Sequence, residues 1–198
     1  MKFKSTILLL SIWSFAALAA AQSQMQPPKP GPEVKKLDYF SGAWKVDGEM
    51  KASPFGPGGK AAGTEHNQWM EGNFFLLSHS DMKTPMGSGK GLAVFGYNPE
   101  EKVYTYHAFN SMGEAEQAKG TLEGDTWTWT NESKMQGKTY KGRFTVKTES
   151  PTAYNFKFEM QPEGGDWATV MEGKATKQGG AAKSPEKKSS EKKSSEKK

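Results

Sequence analysis

The chain has 198 residues, no cysteine, 22 glycines, 11 prolines, 6 tryptophans, 6 tyrosines, 11 phenylalanines and a formal charge of +5. That length holds one ordinary domain with appendages and excludes two large ones. Without cysteine there are no disulfide frameworks, thiol nucleophiles, iron–sulfur clusters or cysteine-built zinc sites, so a packed core must hold the domain together.

At the start, Lys2 and Lys4 precede an apolar run from Thr6 to Phe15, which gives way to the alanine-rich stretch Ala16 to Ala21. These are the three zones of a secretory signal peptide, 1–21, cleaved after Ala21. The run is shorter than the roughly 20 residues a membrane-spanning helix needs, so no transmembrane span is expected. The mature protein is expected to be secreted or periplasmic. Residues 22–32 carry four prolines and read as a flexible, extended leader. From Pro32 to Phe40 a short helix is predicted, with Val34, Leu37 and Phe40 on one side, where it plugs one end of the domain that follows.

Over 33–177 the dominant hydrophobic period is two, which predicts an all-β domain. Strands are expected over 43–52, 62–71, 73–82, 89–98, 102–111 and 114–122, followed by four more, ten in all. The hairpins test one another, because a slip of one residue turns a strand over. A turn at Glu71 to Phe74 pairs Trp69 with Leu76 and His66 with His79. A turn at Glu123-Gly124 pairs Trp127 with Gly120, Trp129 with Ala118 and Glu116 with Asn131. A turn at Gln136-Gly137 sets Trp129 against Phe144, Trp127 against Val146 and Asn131 against Gly142. Closing the next hairpin around Glu149 to Pro151 sets Phe144 against Phe156 and Val146 against Tyr154. A loop from Gln161 to Asp166 sets Met160 against Trp167 and Phe156 against Met171. Large apolar groups then share one face, while Thr128, Thr130, Lys141, Arg143, Thr145 and Lys147 share the other. A sheet dry on one side and wet on the other, joined by short loops, predicts an antiparallel up-and-down barrel of about ten strands.

Residues 178–198 end in two copies of Ser-Ser-Glu-Lys-Lys, a low-complexity tail expected to be disordered. It carries +4 and the signal peptide +2, which leaves −1 for residues 22–177. The basic charge therefore belongs to the appendages. A near-neutral domain whose one arginine is Arg143 lacks the basic face of a specific nucleic-acid binder. The lysine-rich tail suits weak contact with anionic envelope polymers.

The inward face supplies the candidate chemistry. Trp44, Trp127, Trp129, Phe144, Phe156, Phe158 and Met171 are expected as walls of a ligand site, with Tyr154 and Trp167 beside them. Ten strands enclose more space than the eight whose side chains can close a barrel, and the small residues Ala118, Gly120, Gly142 and Gly173 leave room. His66, His79 and Glu116 are candidate polar anchors. Either Glu116 lines a wet cavity, or its strand frays before reaching it. If His66, His79 and His107 face inward together, they form an alternative site for zinc or haem. No nucleophile elbow, phosphate-binding loop or dinucleotide fingerprint occurs, and no cofactor or catalytic residue is assigned. The expected function is binding of a small, largely apolar molecule. The alternatives are a haem- or metal-binding protein or an enzyme using the histidines.

The segment Leu37-Asp-Tyr-Phe-Ser-Gly42-Ala-Trp44 resembles the start of calycin-type barrels, where a short helix leads to Gly-x-Trp on the first strand. Over 37–176, the pieces Gly63-Thr-Glu65, Trp69-Met-Glu-Gly72, Gly91 to Asn98 and Gly120-Thr-Leu-Glu-Gly124 resemble domain-of-unknown-function family 1579. That resemblance implies a lipocalin-like or fatty-acid-binding-protein-like barrel and no particular activity. The strand number and Gly-x-Trp are also similar to haem-binding nitrobindin, whose axial histidine has no matching position here.

Overall fold

The computed structural model describes residues 28–179. The proposed signal peptide, most of the leader and the lysine-rich repeats lie outside those residues. The chain enters through helix α1 (Pro32–Lys36), opened by its proline, and a 3-10 turn over Leu37–Phe40. Ten strands follow: β1 (Gly42–Met50), β2 (Gly59–Trp69), β3 (Leu76–Thr84), β4 (Gly87–Asn98), β5 (Val103–Asn110), β6 (Ala115–Glu123), β7 (Thr126–Met135), β8 (Lys138–Ser150), β9 (Ala153–Pro162) and β10 (Ala168–Lys177). Each pairs antiparallel with its neighbours in sequence, and β10 returns to β1, closing the barrel without a free edge. The predicted fold class is the observed one. Among the described residues no helix is long and apolar enough to cross a membrane.

Two hairpins keep the predicted register. Gln136 and Gly137 both take positive φ, 51° and 78°, and Trp129 faces Phe144 while Trp127 faces Val146. Around the β2–β3 loop, His66 faces His79 and Trp69 faces Leu76. Two others slip by two residues. The β6–β7 turn is Gly124-Asp125, with Gly124 at φ 60°, so Gly120 faces Trp129 and Leu122 faces Trp127. The β8–β9 turn is Pro151-Thr152, with an irregularity between Thr148 and Ser150, and Phe144 faces Phe158 while Val146 faces Phe156. Because side chains alternate with period two, a slip of two changes partners and leaves every side chain on its predicted face. At the β9–β10 hairpin the shift is different in kind. A bulge between Thr169 and Met171 puts Thr169 opposite Glu159 and Met171 opposite Phe158. Trp167 is thereby turned out, and its ring lies 4.3 Å below the Arg143 guanidinium on the outer wall. The same guanidinium bonds Glu159 at 2.8 Å, and Lys157 reaches that carboxylate at 2.9 Å. Burial raises the Glu159 pKa, but the hydrogen bonds of Lys157 and Arg143 outweigh it and hold the group below its usual range.

The entering segment is fastened to the barrel end by side-chain bonds from three directions. The Tyr39 hydroxyl donates to Ala153 O at 2.9 Å, Trp69 Nε1 donates to Asp38 Oδ1 at 2.8 Å, and the Tyr104 hydroxyl donates to Glu33 Oε2 at 2.9 Å. Leu37 and Phe40 bury themselves among Trp44, Trp127, Trp129 and Tyr154 to make the core at that end. Trp44 is completely buried, and its Nε1 donates to Phe40 O at 2.8 Å. The outer surface of β6 to β9 is polar as expected. That of β3 to β5 is not: Leu92 and Phe109 are cross-strand neighbours there and both are exposed.

Candidate binding site

Beyond the plugged end the barrel is hollow. A cavity of about 390 Å³ reaches from Phe40, at its floor, to Asn110, Glu114, Glu116 and Asn131 near the opposite rim. Rings from four regions of the sheet form its walls: Phe95 on β4, Tyr106 on β5, Trp129 on β7, and Phe144, Phe156 and Phe158 on β8 and β9. Met82 and Met171 complete the apolar lining. Such a volume, with mostly apolar walls and a few polar groups, lies in the range of small-molecule pockets.

Of the residues expected to form a site, Trp129, Phe144, Phe156, Phe158, Met171 and Glu116 line this cavity. Trp44 and Trp127 do not. Trp44 is buried against Tyr39 and Tyr154, and Trp127 is held between Phe40 and Tyr104, with its ring stacked 5.5 Å from Trp129. Both serve the core behind the floor.

The histidines correct the expected polar anchors. His66 and His79 are paired as predicted, but both are exposed on the outer surface, as is His107. The reason is parity. Trp69 and Leu76 turn inward, and His66 and His79 stand an odd number of positions from them, so the pairing that buries the indole puts both imidazoles outside. On β5 the inward row is Tyr104, Tyr106 and Ala108, which leaves His107 outside. Among the described residues, no group of three histidine, cysteine, aspartate or glutamate side chains is arranged to hold a metal ion.

The inward positions flanking those histidines carry polar groups that are not among the expected site residues: Glu65, Asn67, Ser78 and Ser80. The same parity identifies them, since residues 65 and 67 share the face of Trp69, and 78 and 80 that of Leu76. Asn67 is 4% exposed; its amide Nδ2 donates to Phe40 O at 2.8 Å, while its Oδ1 has no partner among the described residues. Glu65 keeps some accessible surface, which opens on the cavity. Its Oε2 accepts from the Tyr154 hydroxyl across the interior at a long 3.5 Å. Burial raises the Glu65 pKa, and hydrogen bonds from Tyr154 and Asn67 oppose the shift. Near the rim, Glu116 accepts from Asn131 Nδ2 at 2.9 Å, although the two are not the directly opposed pair the sequence predicted. Its carboxyl is also raised, first by desolvation and then by the neighbouring charge of Glu114. The strand does not fray before Glu116, which lines the cavity.

The small residues divide. Ala118 and Gly142 line the cavity, but a methyl group on Gly142 would strike Asn131 Oδ1, and the space beside Gly120 and Gly173 is likewise taken. A methyl group on Gly120 would lie 2.5 Å from Trp129 Nε1, and one on Gly173 would strike the β1 backbone and the Phe156 ring. Those glycines admit rings and a neighbouring strand, not a ligand.

The Glu65 environment predicts a measurable pH effect. With its pKa higher in the folded than in the unfolded chain, this carboxyl costs stability as pH rises above its ordinary value near 4.5. Glu65→Gln is therefore expected to raise the urea midpoint at pH 7, with a gain of about 1–3 kcal/mol, and to change it little at pH 4. An equal effect at both pH values, or a loss at pH 7, contradicts this account.

A family model described as protein of unknown function (DUF1579) matches residues 29–177. No curated protein matches the chain. Among solved structures, the chain is similar to the crystal structure of Rv2717c from M. tuberculosis, with a TM-score of 0.52 and 11% identity, covering 75% of this chain and 98% of that one. A de novo designed fluorescence-activating β-barrel matches with a TM-score of 0.41 and 14% identity, over 71% of this chain and 95% of the other. At 11% identity, Rv2717c supports the barrel fold alone.

Proposed function

The chain belongs to the DUF1579 family of proteins of unknown function, and we propose that it is an exported, calycin-like binding protein that holds a small, largely apolar molecule inside its barrel. The observation that carries this reading is the aromatic-walled space of about 390 Å³ between the floor at Phe40 and the rim at Glu116. A ring cluster and three tethering hydrogen bonds hold the floor in place. Prearranged walls reduce the ordering cost of binding. Export is proposed from the charged, apolar and alanine-rich zones of residues 1–21.

Filling the space separates a binding site from a packing defect. Ala108 lines the cavity on β5 and faces Glu116 of β6. Ala108→Trp is expected to weaken binding of an apolar fluorescent probe at least about thirtyfold while the barrel stays folded. Native mass spectrometry of protein purified from its own host should show an adduct on the unaltered chain and none on the variant. Equal probe affinity for both chains, with no adduct on either, overturns the reading.

A further inference from the structure

Resting on that reading, we propose that the cavity selects a lipophilic amine, with an ammonium head at Glu65 and Asn67 and an apolar body along the aromatic walls. Three carboxylates line the space, Glu65 inside and Glu114 and Glu116 near the rim, while no lysine, arginine or histidine does so among the described residues. An anionic amphiphile such as a fatty acid would therefore bring its carboxylate toward like charge, with no cation to receive it. A cation meets attraction along the whole path from rim to floor.

The second observation is the orphan oxygen of Asn67. This side chain is 4% exposed and its orientation is fixed, because Nδ2 is committed to Phe40 O at 2.8 Å. Oδ1 is thus held as an acceptor, buried and unpartnered among the described residues. A buried acceptor without a donor costs free energy that a ligand N–H can recover. Glu65 is two residues away on the same face of β2; it accepts from Asn67 and, at a long 3.5 Å, from Tyr154, and no cation pairs with it among the described residues. An ammonium has donors enough for both groups, and the aromatic side chains of Trp129 and Tyr106 stand in the same lining. The raised pKa of Glu65 agrees with a carboxyl lacking its cation.

Three probes of equal length and different charge test this: decylammonium, decanol and decanoate, titrated by calorimetry at pH 7.5 into the unaltered chain and into Glu65→Gln. Decylammonium is expected to bind at least about tenfold tighter than decanoate. Glu65→Gln should remove about tenfold from the amine and distinctly less from decanol, and an unchanged circular dichroism spectrum shows that the variant keeps its barrel. Decanoate binding as tightly as the amine, or an amine preference that survives in Glu65→Gln, overturns the charge selection while leaving an apolar carrier in place. If none of the three binds, the carrier reading falls as well.

Discussion

Phe40→Ala is expected to lower the unfolding free energy by about 3–5 kcal/mol, which urea titration followed by tryptophan fluorescence will measure. The Phe40 ring is 6% exposed at the junction of the entering segment and the barrel. Its centroid lies 5.2 Å from Trp127, 5.9 Å from Trp129 and 5.9 Å from Tyr154, in edge-on contacts, and 6.2 Å from Phe95 in a stacked one. Truncation leaves these rings facing a void they cannot close, because the strands carrying them are fixed in a closed barrel. The loss should exceed that of Phe40→Leu, which keeps most of the volume. A loss below about 1 kcal/mol would mean that the plug is not integral to the core.

Gly173→Ala should cost about 3 kcal/mol by overpacking, and its origin is different. Gly48 and Gly173 face each other where β1 closes on β10, the pair that completes the barrel. A methyl on Gly173 meets Asp47 O and Gly48 Cα on one side and the Phe156 ring, at 2.7 Å, on the other. The β1 backbone cannot retreat without breaking the closing ladder, and Phe156 is itself 5% exposed and stacked with Phe144. The strain should appear as faster amide exchange at the β1–β10 seam than elsewhere in the sheet. Unchanged stability, or protection lost evenly round the barrel, contradicts this account of closure.

The residues that could be read without coordinates are those whose meaning survives a small error in register. Trp129, Phe144, Phe156 and Phe158 face inward whether their hairpins close as predicted or two residues away, because the alternation repeats at two. Trp167 failed because the bulge before Met171 inserts one residue, and one residue is half a period. The histidines failed for a related reason. The facing of His66 and His79 was correct, but it says which side chains are neighbours and not which side of the sheet they occupy. Trp69 and Leu76 decide the side, since burying an indole and a leucine outweighs burying two imidazoles. The polar row of Glu65, Asn67, Ser78 and Ser80 follows from that decision.

The local sequence by itself determined the all-β class, the number of strands and the inward aromatic rows, because alternation and turn chemistry act between residues close together in the chain. Only the tertiary structure decided that the interior stays open and acidic. Whether rings from β4, β7, β8 and β9 meet or leave a gap depends on barrel closure, on where Phe40 comes to rest, and on Trp129 and Phe156 packing over Gly120 and Gly173. Those are contacts between distant segments, and a pattern of period two carries no information about the distance across a barrel.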